Sequence, residues 1–261
     1  MTLVLTQVSK HGIAMAADSA VSDARGRALV GVQKLLPAYQ VNGGLSVWGR
    51  GTVGDTPADE WLAVFIEREI AAGISLWQAG ASLAEKLNDA FGGVIQQRMG
   101  VHVGGFEQVG AVRGPAFYHV HNGHYHVGIV AGKFQEIPDE DPPIREFRCH
   151  PDHLMVRSAD QLPRLIRNGD FWVFSLLSEQ VSRLLDDVKG ATGFDFPYPA
   201  DLATQGEYLR FWISTIKEIY RLSSARVRVL PQPATAGDAS IGGPVTVLTI
   251  SEVGIESFYA R

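Results

Sequence analysis

Helices stand in pairs between blocks of strands, and this grouping constrains the fold more than any single motif. The first fifty residues carry short apolar or alternating runs, "LVLTQVS", "GIAMAAD", "ALVGV", "KLLPAYQV" and "GLSVWG", parted by Gly, Asn and polar turns. A helical pattern follows in "TPADEWLAVFIEREIAA". Thr56 suits the N-cap, Pro57 the first helical position, and Asp59 completes a Thr-x-x-Asp capping pattern. Trp61, Leu62, Phe65, Ile66 and Ile70 recur at helical spacing, and Gly73 closes the segment. The next helix is predicted over "SLWQAGASLAEKLNDAFGGVIQQR", capped by Ser75 with Gln78 reaching back.

Strands return in "QVGAVRG", "AFYHVH" and "HYHVGIVAG". Asn122-Gly123 between the last two is a strong two-residue hairpin signal. The acidic, Pro-rich "EIPDEDPPIREFRCHPD" reads as an exposed loop. Two more helices are predicted, "FWVFSLLSEQVSRLLDD" and "GEYLRFWISTIKEIYRLSS", before the closing strands "PVTVLTIS" and "GIESFYA". Paired helices between strand blocks do not suit alternating βαβ units. They predict an α+β fold of two stacked antiparallel sheets with helices outside, a four-layer αββα sandwich. No repeat, low-complexity stretch or linker divides the chain, so residues 2–261 read as a single domain.

Composition removes several functions. An apolar share of 46% and a charged share of 20% suit a globular chain with a sizeable core. A net charge of −5 gives no electrostatic case for nucleic acid or an anionic membrane. No window has the apolar length of a membrane span, and the start lacks a basic segment and an apolar signal core. Cys149 is the single cysteine, so no internal disulfide forms and a cytoplasmic setting is expected.

Thr2, Asp18 and Lys34 stand sixteen residues apart in turn. If Met1 is removed, Thr2 carries both a hydroxyl and a free α-amine. A hydroxyl is a poor nucleophile without a base in hydrogen-bond reach. An α-amine, with an ordinary pKa of about 7.7–8.0, accepts a proton near neutrality. Lys34 would hold the amine's pKa down and stabilise developing negative charge, and Asp18 would fix Lys34. The chemistry expected is acyl transfer, with the amine standing in for a histidine base. These residue types are common, and a strand-end Asp beside a solvated Lys is the alternative.

"TLVLTQVSKHGIAMAADSAVS" followed by Lys34 resembles the start of proteasome β-type subunits, N-terminal-nucleophile hydrolases, most like a divergent bacterial β-proteasome homologue. "GLSVWGRG" resembles the family's apolar strand ending in the oxyanion-hole glycine, which assigns Gly49, with Trp48 competing because one residue is inserted after Lys34. "VHVGGFEQVGAVRGPAFYHVHNG" is similar to the central strands. "GDASIGGPVTVLTI" resembles the Asp-x-x-Ser-Gly-Gly loop, matching Asp238, Gly242 and Gly243. The resemblance covers roughly residues 2–135 and 235–255. It implies a proteasome-β-like sandwich, a threonine endopeptidase acting on peptides or unfolded protein, and homo-oligomeric double rings; an ATPase partner is left open. It implies no cofactor. It also implies that Val21, Val32 and Val47 line an apolar specificity pocket, although strand residues facing the core explain them equally.

Three features depart from the family pattern. Ile241 stands where a Ser would assist the α-amine, the second supporting Ser is unplaced with Ser175 and Ser178 as candidates, and the region around 136–205 is long. No propeptide is expected ahead of Thr2, so removal of Met1 would complete maturation. Two alternatives follow, an inactive or catalytically weak ring-forming scaffold and a small-amide amidohydrolase of the same fold.

"HVHNGHYH" is the other unusual stretch. A hairpin at Asn122-Gly123 would set His121 against His124 and His119 against His126, a weak candidate for a transition-metal site. No metal is expected; a polar hairpin face is the stronger reading. His150 and His153 are expected in an exposed loop, and Cys149 as an inert thiol.

Overall fold

The structure, a computed structural model, describes residues 2–22, 28–29, 31–92, 98–123, 125–130, 133–138, 146–153, 163–169, 171–193, 199–222 and 241–260. The chain begins with β1 (Leu3–Ser9), β2 (Gly12–Asp18), β3 (Val21–Ser22), β4 (Ala28–Leu29), β5 (Leu35–Ala38) and β6 (Gly43–Gly49). The short strands β7 (Thr52–Val53) and β8 (Thr56–Pro57) lead into helices α1 (Ala58–Glu69) and α2 (Leu76–Phe91). Next come β9 (Met99–Val109), β10 (Val112–His121), β11 (Tyr125–Val130), β12 (Lys133–Pro138), β13 (Arg148–His153) and β14 (Arg164–Gly169). Helices α3 (Trp172–Thr192) and α4 (Leu202–Leu222) precede β15 (Val245–Ser251) and β16 (Gly254–Ala260).

Two five-stranded antiparallel sheets carry the fold. The first runs β14-β1-β2-β15-β16 and the second β13-β10-β9-β6-β5. Every residue of β1 and β2 is buried, as expected of strands covered on both faces. Their alternation divides the side chains. Leu3 and Leu5 pack with Ala14, Val247, Leu209, Trp212 and Ile213 on the side of α4. Val4, Met15 and Leu248 pack instead with Leu35, Trp48 and Phe117 of the second sheet. The other face of that sheet, through Val101 and Val103, packs against Leu62 and Phe65 of α1 and Leu83 and Leu87 of α2.

Several local expectations are corrected. Thr56 does not cap α1: it pairs in β8 with Val53, and Pro57 at the cap position makes no side-chain cap. Asp59 accepts instead from the Gln33 N–H at 3.2 Å. Helix α2 keeps its predicted start, with Ser75 Oγ accepting from the Gln78 N–H and Gln78 Oε1 from the Ser75 N–H. It also has a second, distant cap: the buried Glu107 of β9 accepts from the Trp77 N–H at 2.8 Å. The helix ends at Gly92, in the left-handed region at φ 60°, before the predicted Arg98.

The Asn122-Gly123 hairpin does not form. Strand β10 pairs with β9 and β13, while β11 pairs only with β12 among the described residues. Asn122 is committed to β9: its N–H donates to the Met99 carbonyl and its Oδ1 accepts from the Met99 N–H. The stretch expected as a loop from 136 to 152 contributes to β12 and β13, with 139–145 outside the described residues. Among the described residues no helix is long and apolar enough to cross a membrane.

Candidate active site

Strands β1 and β2 place their ends side by side, with Val4 opposite Ala17. This brings Thr2 and Asp18 to one end of the first sheet. Thr2 is 8% exposed, Asp18 1% and Lys34 3%. Lys34 lies just before β5 of the second sheet, and its ammonium reaches across to Asp18 Oδ1 at 3.0 Å. It also donates to the Ala20 carbonyl. A buried ammonium costs several kcal/mol of lost hydration unless it is paired and hydrogen-bonded. Both requirements are met here.

Asp18 is the hub. Its Oδ1 accepts from the Leu3 N–H at 2.9 Å as well as from Lys34. Its Oδ2 accepts from the Ala20 N–H and the Gly242 N–H, each at 3.2 Å. The Lys34 ammonium therefore lies within two hydrogen-bond lengths of the Thr2–Leu3 peptide. Burial pushes the Lys34 pKa below that of an ordinary lysine, and the charge and hydrogen bond of Asp18 oppose the shift.

Neighbouring backbone closes the arrangement. The Ser19 N–H donates to the Gly242 carbonyl at 3.1 Å, the Val32 N–H to the Ser19 carbonyl at 3.2 Å, and the Val47 N–H to the Lys34 carbonyl at 2.8 Å. Gly49 ends β6 two residues beyond Val47, exposed and at φ 86°. A Cβ there would lie 2.2 Å from the Arg98 carbonyl oxygen, so this backbone admits only glycine. Trp48 turns away into the space between the sheets, where its Nε1–H donates to His119 Nε2 at 3.1 Å.

The remaining predicted residues are dispersed. Asp238 lies outside the described residues. Val47 is buried in the core beneath α1 and α2, the core-facing alternative, and Val32 is half-buried. Val21 pairs with Leu29 in β3, and its side chain lies outside what is described. Ile241 is buried with Trp212 and Ile216, so its side chain belongs to the core while the next residue's N–H serves Asp18. Ser175 and Ser178 lie on α3, where Ser178 Oγ donates to the Ser175 carbonyl.

Residues His119 and His121 share one side of β10, with ring centroids 4.3 Å apart. His124 and the side chain of His126 lie outside the described residues, and it is His150 of β13 that pairs with His119. Among the described residues no group of three His, Cys, Asp or Glu side chains is arranged to hold a metal ion. Burial pushes the Cys149 thiol up to about 12, which keeps it protonated and unreactive.

Strand β14 was not foreseen from the sequence, yet it borders the site. It pairs with β1 from Val8↔Arg164 to Leu3↔Gly169. Gly169, at φ 84°, sits so close that an added Cβ would be 1.9 Å from the Thr2 carbonyl oxygen. The apolar pair Leu165-Ile166 between two arginines, ahead of the turn-forming Asn168-Gly169, was the available signal.

No protein-family model and no curated protein matches the chain. Solved structures do share its fold. Anbu (ancestral beta-subunit) from Yersinia bercovieri matches with a TM-score of 0.51 and 14% identity, covering 100% of this chain and 86% of that one. The helical assembly of the Anbu complex from Pseudomonas aeruginosa matches at 0.52 and 16%, with coverages of 100% and 86%. The Anbu (Gly-1) mutant from Hyphomicrobium sp. strain MC1 matches at 0.53 and 13%, with coverages of 100% and 87%. The expectation of a bacterial β-proteasome homologue is thereby corrected: the relatives in structure are ancestral beta-subunits, and at these identities the likeness establishes the fold alone.

Proposed function

We propose that the chain is an N-terminal-threonine amide hydrolase acting on peptide bonds, with Thr2 as nucleophile once Met1 is removed. The observation that carries this reading is the buried Lys34–Asp18 pair, anchored through one carboxylate oxygen to the peptide next to Thr2. We infer that the layers are ordered α1–α2, second sheet, first sheet, α3–α4, the αββα sandwich of N-terminal-nucleophile hydrolases. One domain carries the whole arrangement.

In this mechanism Thr2 Oγ1 attacks the substrate carbonyl carbon while its proton passes to the α-amine. The Lys34 ammonium keeps that amine neutral by charge repulsion and faces the developing negative charge. The Gly49 N–H is assigned to the oxyanion, because its left-handed conformation turns the end of β6. The tetrahedral intermediate collapses as the amine returns the proton to the leaving nitrogen and the C–N bond breaks. Water then attacks the ester with the same amine as base, releasing the acid and restoring Thr2. Asp238 and an apolar pocket formed by Val21 and Val32 belong to this proposal as secondary parts.

The helical assembly of one structural relative favours a homo-oligomer for this chain as well. Hydrolysis of a fluorogenic peptide by the wild type and by Thr2→Ala tests the chemistry. Loss in the variant is expected, and activity that survives the change sinks the mechanism.

One observation favours a second reading. Ile241 is buried in the core, so position 241 brings no hydroxyl to the α-amine. A ring or filament scaffold without catalysis would tolerate this. Intact-mass measurement separates the readings, since a retained Met1 blocks the amine.

A further inference from the structure

We propose that His102 is a positioning residue for Thr2, acting from the second sheet through Thr6 and Asn168; the inference rests on the threonine-nucleophile reading. His102 lies on β9 and is fully buried. Its Nδ1 is 2.8 Å from Thr6 Oγ1, and its Nε2 is 2.7 Å from Asn168 Oδ1. An amide oxygen only accepts, so Nε2 carries the hydrogen. In the neutral ring Nδ1 then accepts, and the Thr6 hydroxyl donates to it. One tautomer satisfies both bonds.

The two partners stand on the two strands that frame the nucleophile. Thr6 lies on β1, four residues beyond Thr2, which immediately precedes the strand, so the strand's period of two carried back to position 2 reaches the face of Thr6. Asn168 immediately precedes Gly169, whose backbone abuts the Thr2 carbonyl. A single ring from the opposite sheet therefore holds β1 and β14 together. The ring plane is itself fixed, edge-on to Phe117 at 5.0 Å and to His119 at 5.1 Å between centroids. An apolar side chain would fill the same space with less desolvation, but it would grip neither strand. A buried polar network that is satisfied defines one geometry, and here that geometry ends at Thr2.

The test is the labelling of Thr2 by a peptide β-lactone, resolved into the maximal rate and the half-saturating concentration. His102→Leu and Asn168→Ala are expected to lower the maximal rate roughly tenfold or more, because small misplacement of a nucleophile is costly. The half-saturating concentration should stay within roughly twofold, since substrate contacts are untouched. His102→Gln offers an acceptor to Thr6 and a donor to Asn168, and should restore much of the loss.

A His102→Leu protein that labels at the wild-type rate overturns the proposal, as does a folded His102→Gln no faster than His102→Leu. If His102→Leu does not fold, the isosteric Thr6→Val carries the same comparison. A lowered rate supports the proposal and an unchanged one defeats it. Failure of the underlying reading is distinct, because Thr2 of the wild type would then take no label.

Discussion

At the scale of single residues, Asp18 decides the site. It joins one ammonium and three backbone N–H groups drawn from four places in the chain. Asp18→Ala would leave Lys34 charged, buried and unpaired. That should lower stability by about 3–5 kcal/mol, read as a fall in the denaturation midpoint. Asp18→Asn keeps the shape but removes the charge that opposes burial, so Lys34 should lose its proton at still lower pH. If the charged ammonium is needed, the alkaline limb of kcat/KM moves to lower pH in this variant. An unmoved limb would separate Lys34 from the chemistry. The spacing of Thr2, Asp18 and Lys34 was legible in the sequence because each residue stands at or beside a strand end. The donor role of Gly242 was not, since every residue but proline carries the same backbone N–H.

At the scale of elements, the site depends on a strand that its own sequence barely announced. "PRLIRNG" is short and carries two charged residues, and β14 exists because β1 offers it an edge that pairs as far as Gly169. Gly169→Ala combines a left-handed backbone with a collision against the Thr2 carbonyl. It should unpair the end of β14 and abolish Thr2 labelling while the rest of the fold persists. Hydrogen exchange at Val4 reads the first effect, because the Leu3 N–H is held by Asp18 instead, and unaltered protection at Val4 would contradict the assignment.

The helix starts divided along similar lines. Ser75 and Gln78 act locally, so their capping box was readable. Glu107 caps the same helix from β9, thirty residues away, which no local pattern encodes. Glu107→Ala should cost about 1–2 kcal/mol as a lost cap, measured by chemical denaturation. Burial and Glu107 also hold the Tyr118 phenol above its ordinary range, so this variant should lower that pKa in a spectroscopic titration. The hairpin at Asn122 failed for a comparable reason. Turn propensity favoured it, but the Asn122 amide binds Met99 and ends β10 against β9 instead.

At the scale of the whole molecule, the grouping of elements carried more information than any motif. Two antiparallel sheets and four helices were legible from the blocks alone, because paired helices between strand blocks do not suit alternating βαβ units. Which relatives share that architecture was not legible at 13–16% identity. Self-association is the prediction that belongs to this scale. Sedimentation should give a particle several times the 28.4 kDa of one chain, and a monomer would remove the assembly from the account.

The central claim is that Thr2 is an N-terminal nucleophile. Intact-mass and peptide mapping after exposure to a peptide β-lactone tests it most directly. The account predicts a chain lacking Met1 that bears one adduct, on Thr2, and none in Thr2→Ala. A wild-type chain that keeps Met1, or one labelled elsewhere with Thr2 unmodified, would contradict it.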